Sequence, residues 1–273
     1  MKIFFGAICT FSLFCVCFFL FYFFKNLSKR NLNKELATVI FDFDDTLIQD
    51  AVLLEVINVA AGGNQNKIDS IKQLIKERKQ NGKPVIQTIL PEVNEILRKS
   101  ITVDDFKKAS KNLESLFTPN IKDVIKTIKD NNHKVLIIGG AYSTCDILKN
   151  LGMLLGVDAV DIFSGATSFD ENGALVFDER KNGYSNCLTG QRITDDWIKS
   201  DAIKFLKKQG VIKGKIIHIG DGENDLEVWN VSQVDVFIGF GINRVNEKVK
   251  AEAPIFVKTI DEFKTEINKI LGI

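Results

Sequence analysis

Two short acidic motifs, far apart in a chain of 273 residues, carry the chemistry. The first is Asp42-Phe43-Asp44-Asp45-Thr46-Leu47, directly after the apolar run 37–41. Two carboxylates two residues apart, just past a buried strand, point into one crevice, where one attacks phosphorus and the other handles a proton. A carboxylate nucleophile of this sort forms an acyl-phosphate and splits a hard hydrolysis into two easier steps. Taken alone, the motif also fits an ordinary acidic turn. The second motif is Gly220-Asp221-Gly222-Glu223-Asn224-Asp225, after the run Lys215-Ile216-Ile217-His218-Ile219. Acidic residues on a glycine-rich loop at the carboxyl end of a parallel strand make a hard-cation site of the Mg²⁺ type, which keeps room for water and a phosphate. Lys199 lies upstream on the helix leading into that strand. A cation there screens the repulsion between nucleophile and phosphate, whereas a lone helical lysine is ordinarily just solvated.

The elements that position these residues follow from apolar patterning. The runs 37–41, 134–138, 215–219, 234–239 and 255–257 are short and continuous, as strands buried on both faces of a parallel sheet require. Helical patterns at 121–130 and 197–209 separate them, so the fold class is α/β, a doubly wound, Rossmann-like parallel sheet. Residues 163–177 read as a β-hairpin around Asp170-Glu171-Asn172-Gly173. Residues 49–116 read as helices at 51–61, 67–79, 85–97 and 103–117. Inserted after the first strand, they fall above the carboxyl ends of the strands, where ligands bind in such sheets. The expected organisation is a core of 34–48 and 117–273 with a helical cap at 49–116.

Order, spacing and context of these motifs resemble the haloacid dehalogenase superfamily, and within it the phosphoserine phosphatase-like branch, over about residues 37–263. The tail Phe237-Ile238-Gly239-Phe240-Gly241-Ile242-Asn243 is similar to the eukaryotic members. The resemblance implies Asp42 as nucleophile and Asp44 as general acid/base. It implies Mg²⁺ held by Asp42, the backbone carbonyl of Asp44 and Asp221, with Asp225 behind them. Asn224 is implied as a phosphate-site or substrate contact, and Lys199 matches the family lysine. The chain departs from the pattern where the second strand ends. Gly139 stands where the family has a Ser or Thr hydroxyl, leaving Gly139 and Gly140 as candidate phosphate-binding backbone. Ser143 and Thr144 suit the cap of the following helix better. Ala51 stands where the resemblance places a substrate-binding glutamate, and Arg78 and Arg98 read as solvated helix residues. The implied substrate is therefore a small phosphomonoester other than phosphoserine.

Residues 3–24 contain no charge and are long enough to cross a bilayer. They read as a transmembrane anchor, with a cleavable signal peptide as the competing reading. Lys25, Lys29, Arg30 and Lys34 follow the span and only Lys2 precedes it, which puts the catalytic domain on the cytoplasmic side. Outside the span, Cys145 and Cys187 make neither a disulfide framework nor a zinc site and read as free thiols. Lys plus Arg number 36 against 35 Asp plus Glu, which excludes a large electrostatic footprint for nucleic acid. His218 reads as a core histidine, His133 as solvated, Trp197 and Trp229 as packing residues, and Asp104-Asp105 as the acidic start of a helix. Three functions fit: a membrane-anchored Mg²⁺-dependent phosphatase working through Asp42, a membrane-tethered pseudophosphatase that binds a phosphorylated ligand or partner without turnover, or a phosphotransferase that uses an acceptor alcohol instead of water. Gly139 motivates the second. Retention of both Asp42 and Asp44 argues for the first.

Overall fold

The computed structural model describes residues 36–79, 85–140, 144–176, 183–231 and 233–273. Nine strands are described: β1 (Ala37–Phe41), β2 (Lys134–Ile138), β3 (Ile162–Gly165), β4 (Ser168–Phe169), β5 (Leu175–Val176), β6 (Tyr184–Asn186), β7 (Lys215–Gly220), β8 (Val236–Phe240) and β9 (Ile255–Val257). Seven form one sheet in the order β6-β3-β2-β1-β7-β8-β9, while β4 and β5 form the expected hairpin. All neighbours in the large sheet run parallel except β6, which is antiparallel to β3. Strand order reverses across β1, so the crevice at its carboxyl end is where such a sheet takes ligands.

Alternation along β1 feeds two cores. Val39 and Phe41 join Ile137, Ile217, Ile219 and Phe263 on one face, while Ile40 joins Leu136, Ile138, Ile203 and Leu206 on the other. All five β1 residues are buried. Register then sets the level of the catalytic edge. Phe41 pairs with Ile137 of β2 and Ile219 of β7, so the residues that follow those strands emerge together. Asp42 N–H continues the ladder by donating to the Ile219 carbonyl at 2.8 Å.

Between β1 and β2 run the helices Val52–Ala60, Gln65–Lys79, Val85–Leu97 and Val103–Leu113, close to the expected spans. Val56, Ile71, Ile89 and Phe106 bury their apolar faces in the same core as the sheet. The last of these helices starts with a capping box: Thr102 accepts from the Asp105 N–H, and the Asp105 carboxylate accepts from the Thr102 N–H.

Three expectations are corrected. Among the described residues no helix is long and apolar enough to cross a membrane, and the Gln65–Lys79 helix of 15 residues is full of charge. The membrane-anchored protein with a cytoplasmic catalytic domain therefore has no spanning helix to rest on; the run 3–24 that suggested it lies outside the described residues. Cys145 and Cys187 are not free thiols but a disulfide, with Cα atoms 4.8 Å apart. The cause is the β3–β6 pairing, which carries Cys187 up to the start of the Cys145–Leu154 helix. His133 is buried, and its Nδ1 accepts the N–H of Ala37 at 3.1 Å, satisfying the first amide of β1. Finally, β6 is a three-residue antiparallel edge strand of sequence Tyr-Ser-Asn, which no apolar periodicity announces.

Candidate active site

Asp42 ends the ladder of β1 and is buried, 5 % exposed as a residue. Its Oδ1 accepts from Lys199 Nζ at 2.6 Å, and the same ammonium donates to Asp225 Oδ1 at 2.5 Å. Lys199 is the first residue of the Lys199–Lys208 helix and is itself buried, so the helical lysine is not solvated. Asp225 is fully buried and fully engaged. Its Oδ1 also meets His218 Nε2 at 2.9 Å, and its Oδ2 accepts the Gly222 N–H at 3.1 Å. His218 is a core histidine, as expected, with Asp225 at its Nε2 and the Ile40 carbonyl 3.2 Å from its Nδ1. The fit requires glycine at the end of β7: a Cβ on Gly220 would lie 2.2 Å from Asp225 Cγ.

Carboxylate atoms of Asp42, Asp221 and Asp225 lie within 4.8 Å of one another. Crowding is visible in their titration. Burial, with the charge of Asp225 added, holds Asp42 well above the usual carboxylate range against the pull of Lys199. Burial and Asp225 likewise push Asp221 up to about 7 despite Arg244. Asp225 moves the other way: burial opposes its charge, but Lys199 and His218 outweigh it and hold the carboxyl below the usual range. For Lys199 burial again opposes the charge, and Asp225 and Asp42 win, so the ammonium stays protonated. Two buried carboxylates short of positive charge, beside a third already neutralised by protein, are a donor set that fits a hard divalent cation.

Asp44 lines the cavity above Asp42, and its Oδ1 accepts the N–H of Val52 at 2.9 Å, tying the motif to the first inserted helix. Asn243 pins the same loop. Its Nδ2 lies 3.1 Å from the Asp45 carbonyl, 3.1 Å from the Ile48 carbonyl and 2.6 Å from Thr118 Oγ1. Arg244, next in sequence, bridges Asp45 Oδ2 at 3.0 Å and Asp221 Oδ2 at 2.6 Å. Neither contact is legible in the sequence, since both residues lie in a loop after β8 with no periodicity.

The cavity has a volume of about 510 Å³, and Asp42, Asp221, Asn224 and Gly140 are part of its wall. Gly139 is not. It is buried, and its N–H donates to the Phe163 carbonyl at 3.0 Å, which leaves Gly140 as the glycine of the pair that faces the cavity. Ser164 Oγ holds the Gly140 carbonyl at 3.2 Å. Thr144 occupies the N-cap position of the next helix without a side-chain cap bond, and Ser143 lies outside the described residues. Tyr184 and Trp197, with rings 5.8 Å apart in an edge contact, complete the wall on the side of β6. Trp197 is thus a cavity residue as well as a packing one.

A parallel sheet with a buried Asp–Lys–Asp centre at the end of its first strand defines a hydrolase core of the haloacid dehalogenase type. Residues 37–263 match the family described as "Putative Phosphatase", and the chain belongs to it, as a phosphoric monoester hydrolase of the phosphoserine phosphatase-like branch. It is 25 % identical over 241 residues to phosphoserine phosphatase of Homo sapiens, covering 88 % of this chain and 97 % of that one. Among solved structures, a phosphoserine phosphohydrolase-like protein from Francisella tularensis superposes with a TM-score of 0.68 at 21 % identity, covering 85 % of this chain and 100 % of the other. A phospho-aspartyl intermediate analogue of phosphoserine phosphatase gives 0.59 at 20 % identity, covering 87 % and 99 %. At these identities the structural matches speak for the fold.

Proposed function

We propose that this chain hydrolyses a small phosphomonoester other than phosphoserine, with Mg²⁺, through an aspartyl-phosphate on Asp42. The observation that carries the reading is the buried Asp42 carboxylate on the cavity wall, held at one oxygen by Lys199. Asp42 attacks phosphorus in line, forming an Oδ–P bond as the ester P–O bond breaks, and Asp44 protonates the leaving oxygen. Asp44 then takes a proton from water, whose oxygen displaces Asp42 and releases inorganic phosphate. Lys199 keeps its charge beside the nucleophile throughout, and Asp225, itself held by His218, keeps that ammonium in place. Asp42, the Asp44 carbonyl and Asp221 would hold Mg²⁺, which supplies positive charge for the carboxylates and the transferring phosphoryl oxygens. Asn224 and Gly140 would contact the phosphate or the substrate.

Residues 34–48 and 117–273 act in this reading as the catalytic core and 49–116 as its cap. Ala51, Leu53, Leu54 and Ile75 contribute an apolar patch to the cavity. Glu55 does not line it and instead binds Asn58 and Asn112. Among the described residues no cation from the helices 52–113 lines the cavity, and Arg98 is exposed. The cation on the wall, Arg244, is already paired with Asp45 and Asp221, which leaves little for an amino acid's carboxylate.

The test is phosphate release by the full chain from a panel of phosphomonoesters, with Mg²⁺ or EDTA, beside Asp42→Asn. Mg²⁺-dependent release that disappears in the variant is expected. Release that persists in Asp42→Asn removes Asp42 as nucleophile. A folded chain silent on every ester would leave the pseudophosphatase.

A further inference from the structure

The glycine at the end of β2 raises a specific question: with no hydroxyl at Gly139, and its N–H committed to Phe163, what donates to the phosphoryl oxygens on that side? We propose that Tyr184 supplies the hydroxyl donor from edge strand β6, with the indole N–H of Trp197 beside it as a second donor to the bound substrate.

Four observations carry this. Tyr184 and Trp197 line the same cavity as Asp42, Gly140 and Asp221. Tyr184 is only 1 % exposed, and beyond its burial the charges acting most strongly on its phenol are Lys199 and Asp42, the pair at the reacting centre. Burial raises its pKa, so the phenol remains a proton donor at working pH. Trp197 Nε1 is buried and finds no hydrogen-bond partner among the described residues. A buried indole N–H normally has a partner; that of Trp197 has none, and the same residue forms part of the cavity wall, so a small turn of the ring gives a bound ligand a donor.

The backbone around Tyr184 is built to hold it. Its N–H donates to Thr194 Oγ1 at 2.9 Å, and its carbonyl accepts from the Ile193 N–H at 2.8 Å. Gly183 just before it has φ +86°, and a Cβ there would lie 2.2 Å from the Thr194 carbonyl oxygen, so the turn that delivers Tyr184 requires glycine. Three residues later, Cys187 is tied to Cys145 at the start of the helix that follows the glycine turn. The disulfide therefore fastens the residue that follows the edge strand to the first residue of that helix. Thr144, the hydroxyl left in the described part of that turn, is not part of the wall.

This inference rests on the phosphatase reading, and its test separates the two. The full chain, Tyr184→Phe and Trp197→Phe are compared in Mg²⁺ for hydrolysis of p-nitrophenyl phosphate and for binding of orthovanadate, which mimics the transferring phosphoryl group. Tyr184→Phe removes one oxygen and keeps the ring, so the melting temperature stays within experimental error. It loses about 10²–10³-fold in kcat/KM, the effect of deleting one positioned donor, and orthovanadate binds more weakly in parallel. Trp197→Phe loses about tenfold. Gly139→Ser added to Tyr184→Phe restores part of the activity, because a hydroxyl returns from the β2 side. A wild-type chain active on the ester, with Tyr184→Phe equal to it in both readouts, overturns the inference and leaves the phosphatase standing. Loss in Ser143→Ala with Tyr184→Phe unaffected overturns it too, moving the donor to the loop. A wild-type chain that neither turns over nor binds orthovanadate removes both readings.

Discussion

The ends of β1 and β7 and the end of β2 face the same cavity but are built differently. At β1 and β7, a buried lysine joins Asp42 to Asp225, and a histidine and a backbone N–H complete Asp225. At β2, the strand runs out into Gly139-Gly140 and contributes no side chain; Ser164 of β3 holds the Gly140 carbonyl, and Tyr184 of β6 and Trp197 before Lys199 supply the polar side chains of the cavity wall on that side. Charge chemistry is thus concentrated on two central strands, while the neutral donors have moved to the sheet edge. Buried charges tolerate little displacement, since each is stable only through the others. Neutral donors in a cavity wall can come from any element that reaches it. The central strands therefore fix the reaction type, and the edge is free to vary how the phosphoryl group is gripped.

The sharpest way to break this contrast is Lys199→Met. It leaves Asp42 and Asp225 buried without their cation, and removing one partner of such a pair costs about 3–5 kcal/mol. Chemical denaturation should show that loss, with phosphate release at background. A destabilisation below about 1 kcal/mol would mean that the centre tolerates a missing charge as an exposed pair does. On the edge side, replacing both Cys145 and Cys187 by Ser opens a cross-link between positions 42 residues apart. The expected cost is about 2–4 kcal/mol, with catalysis weakened through the β2 turn and β6 but still detectable. Equal damage to catalysis from the lysine and disulfide variants would erase the distinction between the two regions. The smallest effect is a control remote from both: Thr102→Ala removes a helix cap and should cost about 1 kcal/mol, read as a lower melting temperature with kcat/KM unchanged.

What the sequence made legible follows the same division. β1, β2 and β7 are continuous apolar runs because both faces of a central parallel strand are covered, and the strand ends bring carboxylate atoms of Asp42, Asp221 and Asp225 within 4.8 Å of one another with Lys199 between Asp42 and Asp225. The edge strand is three residues long, mixed in polarity, and specified by pairing with β3 and by the Gly183 turn, so periodicity carries no trace of it. Tyr184 therefore carries no signal in the sequence, and an isolated Trp197 looks like any packing tryptophan until β6 brings the two rings together on the cavity wall. The disulfide escaped because two cysteines 42 residues apart say nothing of the strands that align them. Arg244 and Asn243 act through a loop whose contacts are with the β1 motif nearly two hundred residues earlier.

The central claim is that Asp42 becomes covalently phosphorylated. The most direct measurement is an acid-quenched single turnover of the full chain with Mg²⁺ and its best ester, followed by peptide mass spectrometry. The account predicts one phosphoryl group on the peptide containing Asp42, absent in Asp42→Asn and formed before free phosphate accumulates. Phosphate release with no phosphorylated peptide at any time, or with the phosphoryl group on another residue, would contradict it.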